Sequence, residues 1–157
     1  MSDNIRLWVE TSFHSAFRCG GWAFVRADRG GLAGKAGGLR DTTDAGTARA
    51  GLCEALAGLP PTAEVHLSSA SQMVLRAPGL AGLGAEPASP EDAAFWSILR
   101  PLLVGRRVTF MPAKADPRTP VAFTAAWAEQ GRDKAKARGA FAAVIPRSNL
   151  AGARVQT

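Results

Sequence analysis

Apolar and polar positions alternate along the first part of the chain. Ile5, Leu7 and Val9 alternate with Arg6, Trp8 and Glu10, a period of two that predicts a β-strand with one face against a core. Trp8 falls in the polar phase, which fits a sheet with helices over both faces. Gly20-Gly21-Trp22-Ala23-Phe24-Val25-Arg26 reads as a second strand, and Asp28-Arg29-Gly30-Gly31 as a turn into a glycine-rich third strand around 32–39. Three short strands in sequence predict an antiparallel meander.

From Thr43 the period lengthens. Ala48, Leu52, Ala55, Leu56 and Leu59 recur at helical spacing until Pro60-Pro61 stops the helix. Glu64 to Ser68 reads as a strand and Ser71 to Arg76 as a short helix, followed by a loop rich in Gly, Ala and Pro over 77–90. Ser89-Pro90-Glu91-Asp92 has the hydroxyl, proline and acids of a helix start. That helix carries Phe95, Trp96, Leu99, Leu102 and Leu103, with Pro101 marking its distortion or end. Arg107 to Met111 is a fifth strand, and Thr119-Pro120 opens a long helix to about Arg138 with Phe123 and Trp127 one turn apart. The predicted fold is α/β (an α+β mixed sheet), five strands flanked by helices in the order β-β-β-α-β-α-α-β-α. Residues 1–143 form the expected domain, and 144–157 a basic, weakly structured tail.

The 157 residues suit one core, and no apolar run approaches the ~20 residues of a membrane span. The N-terminal residues lack the basic flank and apolar stretch of a signal peptide. Cys19 and Cys53 cannot form a disulfide framework or a CxxC metal site. A soluble, cytoplasmic protein is expected. His14 and His66 stand apart from any ligand-like spacing.

Charge sharpens this picture once it is located. Residues 1–99 carry eight Lys/Arg and ten Asp/Glu, whereas residues 100–157 carry eleven and three, so the net +6 belongs to the last third. Arg132, Lys134, Lys136 and Arg138 form its densest cluster, with spacings of two that spread them around a helix. Such a balance points to a polyanion.

Two segments then resemble a known family. Thr42-Thr43-Asp44-Ala45-Gly46-Thr47-Ala48-Arg49, continuing to Leu56, resembles TTNNRMELxAAxxAL, and Glu64 to Met73 resembles EVxLxTDSQYV. Glu10-Thr11-Ser12 ahead of Gly20-Gly21-Trp22 matches a DGS…GGxG opening. These are motifs of type 1 ribonuclease H, and the resemblance implies its mixed-sheet fold. It also implies a comparison of sites, because members of that family cleave the RNA strand of RNA–DNA hybrids with two divalent ions held by four carboxylates. The four positions fall on Glu10, Ala48, Ala70 and, approximately, Thr124. Only Glu10 carries a carboxylate. The resemblance therefore implies no intact catalytic set and no resident metal, with Mg²⁺ or Mn²⁺ needed only for residual nuclease activity. Asp44 and Glu54 do not restore the lost helix position, while Asp116 or Glu129 stand as partial replacements near Thr124. The family's loop histidine falls on Lys114. Thr43 and Gln72 match its contacts to DNA phosphate and minor groove, but the Asn pair is replaced by Asp44-Ala45, and the basic protrusion by 77–90, which holds no Lys or Arg.

Three functions are open at this point. The first is a non-catalytic ribonuclease H-like protein that binds duplex or hybrid nucleic acid through its basic C-terminal region, with Thr43, Gln72, Lys114, Arg132, Lys134, Lys136 and Arg138 as contacts. The second is a protein-interaction scaffold, with a protein partner or a second copy docking on the apolar tail. The third is a residual hybrid nuclease with an atypical metal site.

Overall fold

The structure, a computed structural model, describes residues 4–156. Its strands are β1 (Asn4–His14), β2 (Cys19–Asp28), β3 (Gly31–Leu39), β4 (Glu64–Ser69), β5 (Arg107–Pro112) and β6 (Phe141–Val144). The helices are α1 (Asp44–Leu56), α2 (Gln72–Leu80), α3 (Pro90–Phe95), α4 (Arg100–Leu103), α5 (Pro120–Arg138) and α6 (Arg147–Leu150), with 3-10 turns over Ser97–Leu99 and Ala151–Ala153. The sheet order is β5-β4-β1-β2-β3-β6. β1, β2 and β3 form the antiparallel meander, β4 and β5 run parallel to β1, and β6 pairs antiparallel with β3.

Each face of this sheet has its own core. On one, Leu7, Val9 and Leu67 pack with Leu52 and Leu56 of α1 and with Trp96 and Leu99. On the other, α5 crosses β1, β2 and β3, burying Ala23, Val25 and Ala36 against Ala128. Trp8 packs partly buried against this second core, to which α5 also contributes Trp127, so the polar phase of β1 does meet a covering helix. Backbone approaches closely here. A Cβ built on Gly131 of α5 would stand 2.2 Å from the Gly37 carbonyl oxygen, and one on Gly21 would stand 1.9 Å from that of Ala128.

Several boundaries differ from the sequence expectation. β1 runs on to His14, and α2 continues through Pro78 because Ala77 and Ala81 are fully buried and hold that last turn. The sheet has six strands rather than five. The sixth comes from residues assigned to the end of the domain and to a weakly structured tail. The tail is folded because three of its apolar residues have somewhere to go. Ile145, Leu150 and Ala153 are buried in the α5-side core, and the Ile145 N–H donates to the Gly34 carbonyl at 2.9 Å. Truncating Ile145 to alanine is therefore expected to lower unfolding free energy by about 2–4 kcal/mol. Urea unfolding of the variant checks this, and a loss below about 1 kcal/mol would return residues 144–156 to the status of a loose tail.

Candidate functional site

β4 ends alongside the middle of its parallel neighbour β1, with Trp8 paired to Ser68 in the last register step. Two residues beyond that step, the Glu10 carboxylate accepts a hydrogen bond from the Ala70 N–H at 2.8 Å. Glu10 is only 3% exposed. Around it the hydroxyls form a local network. Ser69 Oγ donates to the Val9 carbonyl at 2.6 Å and accepts from the Ser71 N–H at 3.0 Å, while Thr11 and Ser71 hydroxyls lie 3.1 Å apart. Burial strips water from the Glu10 carboxylate and raises its pKa to about 7, although hydrogen bonds from Ala70, Ser69 and Ser71 pull the other way. The acid thus ties the middle of β1 to the start of α2, whose first turn Ser71 caps at the Val74 N–H.

The other positions singled out by sequence carry different chemistry. Ala48 is fully buried in the α1-side core. Thr124 is buried and its hydroxyl donates to the Pro120 carbonyl one turn back, at 2.7 Å. Glu54 is held by the Lys35 ammonium at 3.2 Å. Asp116 accepts from the Arg118 N–H at 2.9 Å, which closes its own loop, and Glu129 is exposed on α5. Among the described residues, no three His, Cys, Asp or Glu side chains come together in a way that could hold a metal ion. Thr43 is the exposed N-cap of α1, accepting from the Gly46 N–H at 3.0 Å, and Gln72 is exposed in the first turn of α2. Lys114 is exposed on a loop docked to β4 by the Ala113 N–H bond to the Ser69 carbonyl, 2.9 Å.

The cations of α5 divide into two sets. Arg132 and Lys136, one turn apart, face the β1–β2 hairpin: Arg132 donates to Ser12 Oγ at 2.8 Å, and the Lys136 ammonium lies 3.5 Å from the Phe17 ring centre. Lys134 turns to the other side, 5.9 Å from the Phe141 ring, and Arg138 is exposed near the end of the helix. A groove of about 780 Å³ lies elsewhere, between α1 and the β3–β6 edge, lined by Trp22, Leu39, Cys53 and Phe141 among others.

No family model matches the sequence, and no curated protein matches it. Solved structures do match in three dimensions. The N-terminal RNase H domain of a Mycobacterium tuberculosis protein superposes with a TM-score of 0.61 at 16% identity, covering 87% of this chain and 98% of that one. LC11-RNase H1, solved in complex with an RNA/DNA hybrid, gives 0.62 at 18% identity over 83% and 98%. RNase H1 from the halophilic archaeon Halobacterium salinarum gives 0.54 at 19% over 83% and 98%. The chain has the ribonuclease H-like fold.

Within that ribonuclease H-like fold, Glu10 and Ala70 are in direct contact through the Ala70 N–H. What sequence reading missed is the far end of β1. His14, taken as isolated, stacks on Phe17 with ring centres 4.9 Å apart and planes 16° apart. The signal was available in Phe13-His14 and Phe17-Arg18, aromatic and basic residues interleaved across a short turn, but the pairing exists only once the hairpin closes.

Proposed function

We propose that this chain is a non-catalytic ribonuclease H-like protein that binds nucleic acid through the basic face where α5 meets the β1–β2 hairpin. The observation that carries the reading is the convergence of Arg132 and Lys136 on that hairpin, where Arg18 adds a third cation and Asp133 pairs with Arg132 at 3.1 Å. The ribonuclease H-like fold, seen on a hybrid in LC11-RNase H1, supports nucleic acid as the polyanion.

The acidic side of the site supports the non-catalytic half of the proposal. A two-ion mechanism needs several ionised oxygens at one place. Here the retained acid is sequestered, half-protonated near neutral pH and already bonded to a peptide N–H. The other positions matched to the family's ligands supply methyl groups or a threonine hydroxyl turned to its own helix. This donor set does not fit a pair of divalent ions, and no step is derived through them.

One set of titrations tests both halves. Duplex DNA, duplex RNA, hybrid and single strands are titrated at low and moderate salt, and labelled hybrid is incubated with Mg²⁺ or Mn²⁺ beside a Glu10→Gln control. Micromolar binding at low salt is expected, falling roughly 20–40-fold between 50 and 200 mM salt for about three phosphate contacts. No cleavage is expected from either protein. Absence of binding to every ligand sinks the first half, and cleavage that Glu10→Gln abolishes sinks the second.

A further inference from the structure

The hairpin between β1 and β2 is built to hold an aromatic side chain outside the core. Its turn is closed by the Arg18 N–H bond to the Ser15 carbonyl at 3.3 Å, with Arg18 in the left-handed region at φ 53°. The turn is anchored beyond itself. The Thr42 N–H donates to the Arg18 carbonyl at 3.0 Å, and the Cys19 thiol donates to the Phe17 carbonyl at 3.2 Å. Phe17, held between these two bonds, nevertheless leaves 53% of its surface in water. A phenylalanine that serves the core would not be placed there.

Its surroundings are polar and cationic. The exposed His14 ring stacks on it, the Lys136 ammonium sits 3.5 Å from its centre, and Arg132 is fixed beside them by Ser12. A small open cleft of about 200 Å³ lies next to the pair, lined by His14, Cys19, Arg132, Asp133 and Lys136. Flat rings flanked by cations, on a rigid turn, are the elements with which proteins hold single strands: bases stack on the rings and phosphates meet the charges. A duplex keeps its base faces inside its own stack and gains nothing from an exposed ring. A purely structural role for the Lys136–Phe17 contact explains the ammonium, but it does not explain the second ring stacked and left in water.

Resting on the nucleic-acid reading above, we infer that the His14–Phe17 pair is a base-stacking platform, and that the preferred ligand of this face is single-stranded nucleic acid. Arg18, Arg132 and Lys136 take the phosphates on either side of the stacked base. The platform lies four residues along β1 from Glu10, about 13 Å at strand spacing, so it is separate from the position of the retained acid.

The test compares a fluorescent single strand of about 15 nucleotides, the upper range for one small binding module, with a duplex of equal length. Wild type, Phe17→Leu, Phe17→Trp and Lys136→Gln are titrated by anisotropy at three salt concentrations, with thermal melting to confirm folding. His14→Ala replaces Phe17→Leu if the latter melts early. Phe17→Leu keeps the apolar bulk but removes the flat ring on which His14 stacks, and with it the support of the platform's open face. It is expected to weaken single-strand binding ~5–30-fold with an unchanged salt slope, while duplex binding moves less than about twofold. Phe17→Trp restores the affinity. Lys136→Gln weakens both ligands and lowers the single-strand salt slope by about 0.7. Single-strand affinity unchanged in Phe17→Leu, or an equal loss for duplex, overturns the inference. Wild type that binds duplex or hybrid but no single strand overturns it while leaving the broader reading intact, whereas no binding to any ligand removes both.

Discussion

Replacing Gly131 with alanine is expected to destabilise the protein by about 2–3 kcal/mol, against the usual direction for glycine in a helix. Alanine at an interior helical position ordinarily gains close to 1 kcal/mol over glycine. Here the new methyl would stand 2.2 Å from the Gly37 carbonyl oxygen. Both sides of that contact are main chain, so neither can rotate aside as a side chain would. The helix must lift from β3 by about 1 Å, and overpacking of this kind costs up to about 3 kcal/mol or somewhat more. Gly79 of α2 supplies the opposite case, because a Cβ there meets nothing within 4 Å. Gly79→Ala is expected to stabilise by about 0.5–1 kcal/mol. Chemical unfolding of both variants settles the matter: stabilisation by Gly131→Ala would mean that α5 does not seat directly on β3.

The second large effect is electrostatic. Glu10 has a pKa of about 7 in the folded chain against 4.5 when solvated, because burial outweighs the hydrogen bonds it accepts. Below pH 4.5 the carboxyl is protonated whether the chain is folded or not, and it carries no penalty. Between the two values the unfolded chain releases the proton that the folded chain keeps, so stability is lost as pH rises through 7 and then levels off. The separation corresponds to about 3 kcal/mol. Glu10→Gln removes the titration while its amide oxygen still accepts the Ala70 N–H. The variant is expected to match wild type near pH 4 and to exceed it by up to about 3 kcal/mol at pH 8. Unfolding curves at pH 4, 6 and 8 measure the difference, and a gap that stays constant with pH would show that Glu10 is solvated.

The two effects explain which parts of the molecule the sequence could disclose. Periodicity marks elements with one buried face, so the alternation of Ile5, Leu7 and Val9 and the helical repeat from Ala48 to Leu56 identify β1 and α1 directly. It says little about β6, where Phe141-Ala142-Ala143-Val144 neither alternates nor repeats. That strand exists because β3 has a free edge and Ile145 has a cavity to fill. Neither fact is local. At the candidate site, the alanines at positions 48 and 70 are legible residue by residue, whereas the protonation of Glu10 depends on how completely the fold closes over it. Arg132 and Lys136 show the intermediate case. Their separation of four residues already places them on one stripe of a helix, but only the hairpin reveals what that stripe faces.

The folded tail also bears on how the molecule is made. β3 carries Gly34, Gly37 and Gly38 and has little side-chain bulk of its own. Its outer edge is paired by β6 and its neighbour core is filled by Ile145 and Leu150, which leave the ribosome well after it. During synthesis the meander emerges before β6 and waits, with one edge open, for more than a hundred residues of chain. The native sheet is therefore completed only when β6 arrives, and the newborn chain is most open to strand addition by other molecules in that interval.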